Sequence, residues 1–138
     1  MRRFRRNVIA ASTPMDTKQS SKNYSELLRD DIRRCVDHSV SLFLQRDYDS
    51  IRRQIDESRI SLAEIQSTLV EYPDLGVLTD EAFNKYCAVY RVGPSWFIWQ
   101  VDAPLSSDTG AIFDLSLGFV VDLTTEPISY KIHRLDIQ

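Results

Sequence analysis

A chain of 138 residues, 43% hydrophobic and 27% charged with a net charge of −3, has the size and composition of one globular domain with one core. No apolar run approaches the roughly 20 residues that span a bilayer, so no membrane partner is expected. Charge is unevenly placed: residues 1–20 hold Arg2, Arg3, Arg5, Arg6 and Lys18 against Asp16 alone, a net +4, while the other 12 basic and 19 acidic side chains give residues 21–138 a net −7. An acidic folded part lacks the basic face of a nucleic-acid binder, so nucleic acid is not an expected partner either.

Residues 1–20 read as a disordered basic extension, or as an upstream start that precedes Met15. The apolar stretch at 8–11 is too short for the core of a secretory signal. From residue 21 the chain reads as a single α+β domain. Asn23-Tyr24-Ser25-Glu26 has the form of a capping box and predicts a helix start near Asn23. Tyr24, Leu28, Ile32, Cys35, Val36, Val40 and Phe43 then recur at helical spacing along one stripe. Asp47 caps a second, shorter helix over 47–57, with Tyr48, Ile51 and Ile55 on one face. Ser61-Leu62-Ala63-Glu64 is another capping box, and Ile60 and Ile65 stand where a hydrophobic staple places them. Pro73 ends this third helix, because the residue before a proline avoids the helical region. Residues 72–76 read as a turn and 79–84 as one more helical turn.

From Tyr86 the apolar period changes from helical to alternating. Strands are predicted over 86–92, 95–103, 111–123 and 128–137, with turns at Gly93-Pro94, over 105–110 and over 124–127. Short connections make neighbours antiparallel, so the expected architecture is a four-stranded meander with about three helices on one face. Pairing Val92 with Ser95 sets Tyr90 opposite Phe97. A second turn estimate sets Trp99 opposite Leu115. Tyr86, Ala88, Tyr90, Phe97, Trp99, Val101, Phe113, Leu115, Leu117 and Phe119 then share the face toward the helices. In the last strand, Ile128, Tyr130 and Ile132 alternate one way and Leu135 and Ile137 the other, which predicts a bulge near Arg134.

The opposite sheet face is expected to show Arg91, Trp96, Ile98, Gln100, Asp102, Ile112, Asp114 and Ser116, joined by Lys131 and His133. Tryptophan and arginine are typical interface anchors, and Trp96 opposite Arg91 suits a cation–π stack. Arg91, Trp96, Ile98, Gln100, Asp114 and Ser116 are therefore the candidate protein-binding residues. Asp102 and Asp114 alternate with apolar neighbours as solvent-facing positions do, Asp108 reads as the cap of its own turn, and Asp122 precedes the next turn. His133 and Asp114 are a candidate surface ion pair. No phosphate loop, dinucleotide loop or nucleophile elbow occurs, and no catalytic residue is assigned. Cys35 and Cys87 read as free thiols of a reducing, cytoplasmic setting, and the scattered Cys and His residues call for no metal or other cofactor.

The stretch from Val101-Asp102-Ala103-Pro104-Leu105 through Ser106-Ser107-Asp108-Thr109-Gly110, followed by Asp114-Leu115-Ser116-Leu117, resembles an uncharacterised family of small bacterial α+β domains. In that family a strand ends in a leucine-containing, acid-bearing turn and a strand of Ser-Asp-Leu-Thr-Leu type follows. Tyr48, Ile51, Ser61 and Tyr72-Pro73 extend the likeness over residues 25–136, and Ala111-Ile112-Phe113 and Ser106 depart from it. The resemblance implies the fold and a bacterial origin, and brings no catalytic residues. Domains of this style resemble immunity proteins, which neutralise a toxin by binding it. The expected function is accordingly a non-enzymatic protein-binding domain, an immunity-type inhibitor whose acidic surface suits a basic protein partner. The alternatives are a small-molecule or hydrolase-like pocket lined by Tyr72, Tyr86, Tyr90 and Trp99, and a homodimer joined through its sheet faces.

Overall fold

A computed structural model describes residues 17–137 of the chain. Of the extension expected over residues 1–20, residues 1–16 lie outside them. By their contacts residues divide into two units, 1–30 and 31–138. The first holds, among the described residues, the opening turns of helix α1. The second holds the rest of α1 and every other element.

Helix α1 spans Thr17–Gln45, so Asn23 lies inside it and is not its cap. In the second unit its apolar stripe is buried as the spacing requires: Ile32, Cys35, Val36, Val40 and Phe43 are all in the core. The helix stops at Arg46, which takes a left-handed conformation (φ 54°). The amides of Arg46 and Asp47 turn back to the carbonyls of Phe43 and Leu42, closing the end as a Schellman motif. The Arg46 guanidinium also donates to the carbonyls of Phe43 and Leu69, at 2.5 and 3.3 Å, so it ties the end of α1 to the end of the third helix. Helix α2 (Tyr48–Gln54) is capped by Asp47 and α3 (Leu62–Val70) by Ser61, whose hydroxyl accepts from the Glu64 amide while Glu64 reaches back to the Ser61 amide. Thr79 caps α4 (Asp80–Tyr86). Arg33 of α1 joins this segment by donating to the carbonyls of Leu78 and Thr79, pairing with Asp80 and lying 5.0 Å over the Phe83 ring.

The fold is α+β, with four helices and a five-stranded antiparallel sheet among the described residues. The strands are β1 (Leu75–Gly76), β2 (Ala88–Arg91), β3 (Ile98–Ser107), β4 (Ile112–Asp122) and β5 (Ser129–Ile137). The expected meander is present as β2-β3-β4-β5. The addition is β1, two residues long, which pairs with Ser106 and Ser107 of β3. Strand β3 therefore carries β4 on one edge and β2 and β1 in tandem on the other. Pro104, which has no N–H to donate, faces the gap between those two short strands. On the far side, the end of α2 and the residues after it meet the outer edge of β5 near Ile132: the Asp56 amide donates to the Ile132 carbonyl, and Lys131 Nζ donates to the Arg53 carbonyl.

The two estimated registers were both displaced, with different consequences. Trp99 lies opposite Val121, not Leu115, a shift of six residues. Six is even, so the core face survives: Val101, Ala103, Leu105, Leu115, Leu117, Phe119 and Val121 are buried against the helices, with Tyr130, Ile132 and Leu135 of β5. In the first hairpin Val92 bonds Ile98, not Ser95, which lengthens the loop by three residues. Three is odd, so β2 is turned over. Ala88 and Tyr90 join the outer face opposite Asp102 and Gln100, and Tyr86, Phe97 and Tyr90 are exposed instead of core. The expected bulge in β5 is present, falling at His133 between the Gly118–Arg134 and Phe119–Ile132 pairs.

The β3–β4 turn is narrower than the predicted loop over 105–110. Ser107, not Asp108, organises it: its hydroxyl accepts from the amides of Thr109 and Ala111, and Gly110 supplies the positive φ. Asp108 instead donates its amide to the Asp74 carbonyl, which clamps β1 to the turn. Gly76 lies beneath this clamp, where a Cβ would stand 2.5 Å from the Asp108 Cα and 2.6 Å from the Ser107 carbonyl oxygen. Those are backbone atoms with nowhere to move. Gly76→Ala should therefore lower unfolding free energy by about 2 kcal/mol, as overpacking does. Urea denaturation followed by circular dichroism measures it.

Candidate functional site

Two features stand out on the sheet. The first is a row of residues across its outer face. Ala88, Asp102, Gly118 and Arg134 are successive cross-strand neighbours on β2, β3, β4 and β5. Gly118 leaves a gap in the row, and the Arg134 side chain lies in it, close enough that a Cβ on Gly118 would meet its Nε and Cζ at 3.2 and 3.3 Å. Arg134 thereby crosses a whole strand and donates from Nη2 to Asp102 Oδ1 at 2.6 Å and to the Ser116 hydroxyl at 3.4 Å. Its Nε faces Asp136 at 3.3 Å.

Asp102 collects two further donors. Tyr90 gives its hydroxyl proton to Oδ2, and Gln100 Nε2 donates to Oδ1 at 3.1 Å. With its amide nitrogen so engaged, Gln100 turns its Oε1 to His133, whose Nε2 must be the donor in that 2.8 Å bond. The carboxylate beside Tyr90 raises the phenol above its usual value, because losing the proton would break the bond and set two negative charges together. His133 is held below the usual imidazole value, first by burial and then by the charges of Arg59 and Arg134. The charges of the row are thus paired within it, while the buried Arg134 Nε makes an ion pair with Asp136 but no hydrogen bond. The row locks β2 and β5 to the centre of the sheet and offers no free acid, base or nucleophile.

The second feature is the β2–β3 hairpin. Val92, Trp96 and Phe97 are exposed at its tip, Trp96 by 59% and Phe97 by 53%, and Val89 and Tyr90 are exposed along the strand that leads there. Gly93 supplies the left-handed turn, the Ser95 hydroxyl accepts from the Phe97 amide, and the Trp99 indole donates to the Trp96 carbonyl. The Arg91 guanidinium lies 3.9 Å over the Trp96 ring, the stack expected for this pair.

The six candidate binding residues therefore separate into three places. Arg91 and Trp96 meet at the hairpin tip, with Ile98 just inside it at the start of β3. Gln100 and Ser116 lie on the outer face, each bonded to one partner of the Asp102–Arg134 pair. Asp114 belongs to neither group: it accepts from the Tyr72 hydroxyl at 2.9 Å, beside the Tyr72–Phe113 ring contact, and is not the partner of His133. Asp102, read as solvent-facing, is the hub of the outer row. Arg134 and Tyr90 were missed there, Tyr90 because the hairpin loop was counted three residues short. The expected pocket lining also disperses, since Tyr90 bonds Asp102 and Tyr72 bonds Asp114.

His38 is paired as well, its Nδ1 2.6 Å from the Tyr130 hydroxyl, and burial pushes that phenol up to about 12. Cys35 and Cys87 are free thiols, pushed up to about 11 and about 12 by burial. Neither is therefore an activated nucleophile. Among the described residues no three of His, Cys, Asp and Glu lie together as metal ligands, and no helix is long and apolar enough to cross a membrane. Comparison with protein-family models, with curated proteins and with solved structures finds no match to this chain.

Two predictions follow from the outer row. Replacing Asp102 by Ala leaves a partly buried guanidinium without its closest acceptor, and should cost about 1–3 kcal/mol in urea unfolding; Asp102→Ala combined with Arg134→Met should recover part of that loss. His133, held low in the fold, contributes stability that is complete above its unfolded value of about 6.5 and is lost as pH falls through the folded value. Unfolding free energy should therefore decline as pH falls below about 6.5, and His133→Gln should flatten that slope.

Proposed function

We propose that this chain is a non-enzymatic protein-recognition domain, and that the β2–β3 hairpin is its recognition surface. One observation carries the reading: Val92, Trp96 and Phe97 stand exposed together at the hairpin tip, with Arg91 stacked on Trp96. Contiguous exposed apolar surface at a turn marks an interaction site, and Trp and Arg are among the residues enriched at binding hot spots. The outer row supports the same reading from the other side, because its charges already satisfy one another. Its part is to hold the hairpin's first strand in place.

The partner, in this reading, is another protein of basic overall charge, drawn by the net −7 of residues 21–138. The likeness to immunity-style bacterial domains supports a toxin as that partner, with the chain acting as its inhibitor. The test is a pull-down from lysate of the source organism with the full chain and with a Trp96→Ala, Phe97→Ala variant as baits. A stoichiometric protein should be held by the wild type and bound at least about thirtyfold more weakly by the variant, the equivalent of about 2 kcal/mol at a hot spot. Unfolding of the variant should be little changed, since both side chains are exposed. A partner retained equally by both baits would put the surface elsewhere.

A further inference from the structure

The hairpin's leading strand has a property that the aromatic tip alone does not explain. Val92 bonds Ile98, so residues 88, 90 and 92 turn their backbone groups toward β3. The amides and carbonyls of Val89 and Arg91 therefore point away from the sheet. Among the described residues no strand lies on that edge, and all four residues of β2 are exposed. On the opposite edge of the sheet, β5 is engaged at Ile132, whose carbonyl accepts from the Asp56 amide. Two amides and two carbonyls in extended geometry, spaced to accept a strand, are thus presented along β2.

The side chains say what kind of strand fits. Val89 and Arg91 project to one face of β2, and Ala88 and Tyr90 to the other. Between Tyr86 and Val101 the chain holds one charged residue, Arg91, and no Asp or Glu. Among the described residues Arg91 makes no ion pair; the Trp96 ring holds its guanidinium at the edge. A cation fixed in apolar surroundings and lacking a carboxylate is a recognition element for one. A strand laid along this edge sets one residue beside Val89 and, two positions away on the same face, another beside Arg91.

Resting on the reading of the hairpin as the recognition surface, we infer that the partner binds by adding a strand to β2, and that this strand carries an acidic residue two positions from an apolar one. Backbone hydrogen bonds to Val89 and Arg91 supply the register and the Arg91–carboxylate contact supplies the selectivity, as in other peptide recognition by strand addition. A partner basic overall and acidic at this one contact satisfies both the long-range and the local field.

Val89→Pro isolates the claim. It removes the outward amide of Val89 and no ladder bond to β3, so an edge position tolerates it. The probe is a synthetic peptide alternating valine with threonine and glutamate, compared with the same peptide carrying lysine in place of glutamate, both titrated into isotope-labelled full chain. The glutamate peptide should shift and protect the Val89 and Arg91 amides, bind at least about tenfold more tightly than the lysine peptide, and lose at least about tenfold in affinity on Val89→Pro or Arg91→Gln. An unchanged fold is checked by the amide spectrum of each variant. Failure of the glutamate peptide to bind at millimolar concentration overturns the inference, as does equal binding of the two peptides. Protection of the same amides by raising protein concentration alone overturns it in favour of a second copy on the edge. The captured partner separates the two readings: retained by Val89→Pro but lost by Trp96→Ala, it refutes strand addition and keeps the hairpin; retained by both variants, it refutes the hairpin as well.

Discussion

The pairing capacity of β3 is the constraint from which the rest of the sheet follows. Its backbone bonds to β4 through residues 97, 99, 101 and 103, and to β2 through 98, 100 and 102. The β4 side is occupied along most of its length. The other side is shared by two short strands, with a proline opposite the space between them. Because β2 is held only through alternate residues, its remaining backbone groups have no role inside the sheet. The open edge is a product of the same alternation that builds the core.

The core face and the outer face are stabilised by different physics. On the helix side, Val101, Ala103 and Leu105 of β3 and Leu115, Leu117, Phe119 and Val121 of β4 are buried in one core with apolar side chains of all four helices, an arrangement that tolerates changes of similar volume. On the outer side a single carboxylate gathers three donors, and a single guanidinium reaches it across a glycine. Such polar contacts depend on geometry far more steeply than apolar ones do. The hairpin strand is thus held by an interaction that fixes its position, which suits a surface meant to meet another protein in one orientation.

Much of this was legible in the sequence, and the failures share a cause. The stripe from Ile32 to Phe43, the caps at Asp47 and Ser61, the bulge in β5 and the Arg91–Trp96 stack are local, encoded within a few residues of one another. What was not legible depended on loop length. Nothing in Gly93-Pro94-Ser95-Trp96-Phe97 announces a five-residue loop in place of a tight turn, because Trp96 and Phe97 have the composition of a strand. That one parity error moved Tyr90 from the outer row to the core. Asp102 looked solvent-facing for a related reason: its partner Arg134 is 32 residues away, and the glycine that connects them carries no periodic signal.

The crossing of Gly118 by Arg134 also limits how this sequence can drift. A side chain gained at 118 evicts the arginine, an arginine lost at 134 leaves Asp102 without its cationic partner, and an aspartate lost at 102 leaves Arg134 without its closest acceptor. Each of the three changes is harmful while the other two residues remain. A lineage leaving this arrangement must therefore relinquish the charges first, through a replacement at 134 that fills the groove without a charge, and only then fill position 118. Chains descended from a common ancestor with this sheet should fall into two groups, those holding all three residues and those holding none, with few intermediates between them.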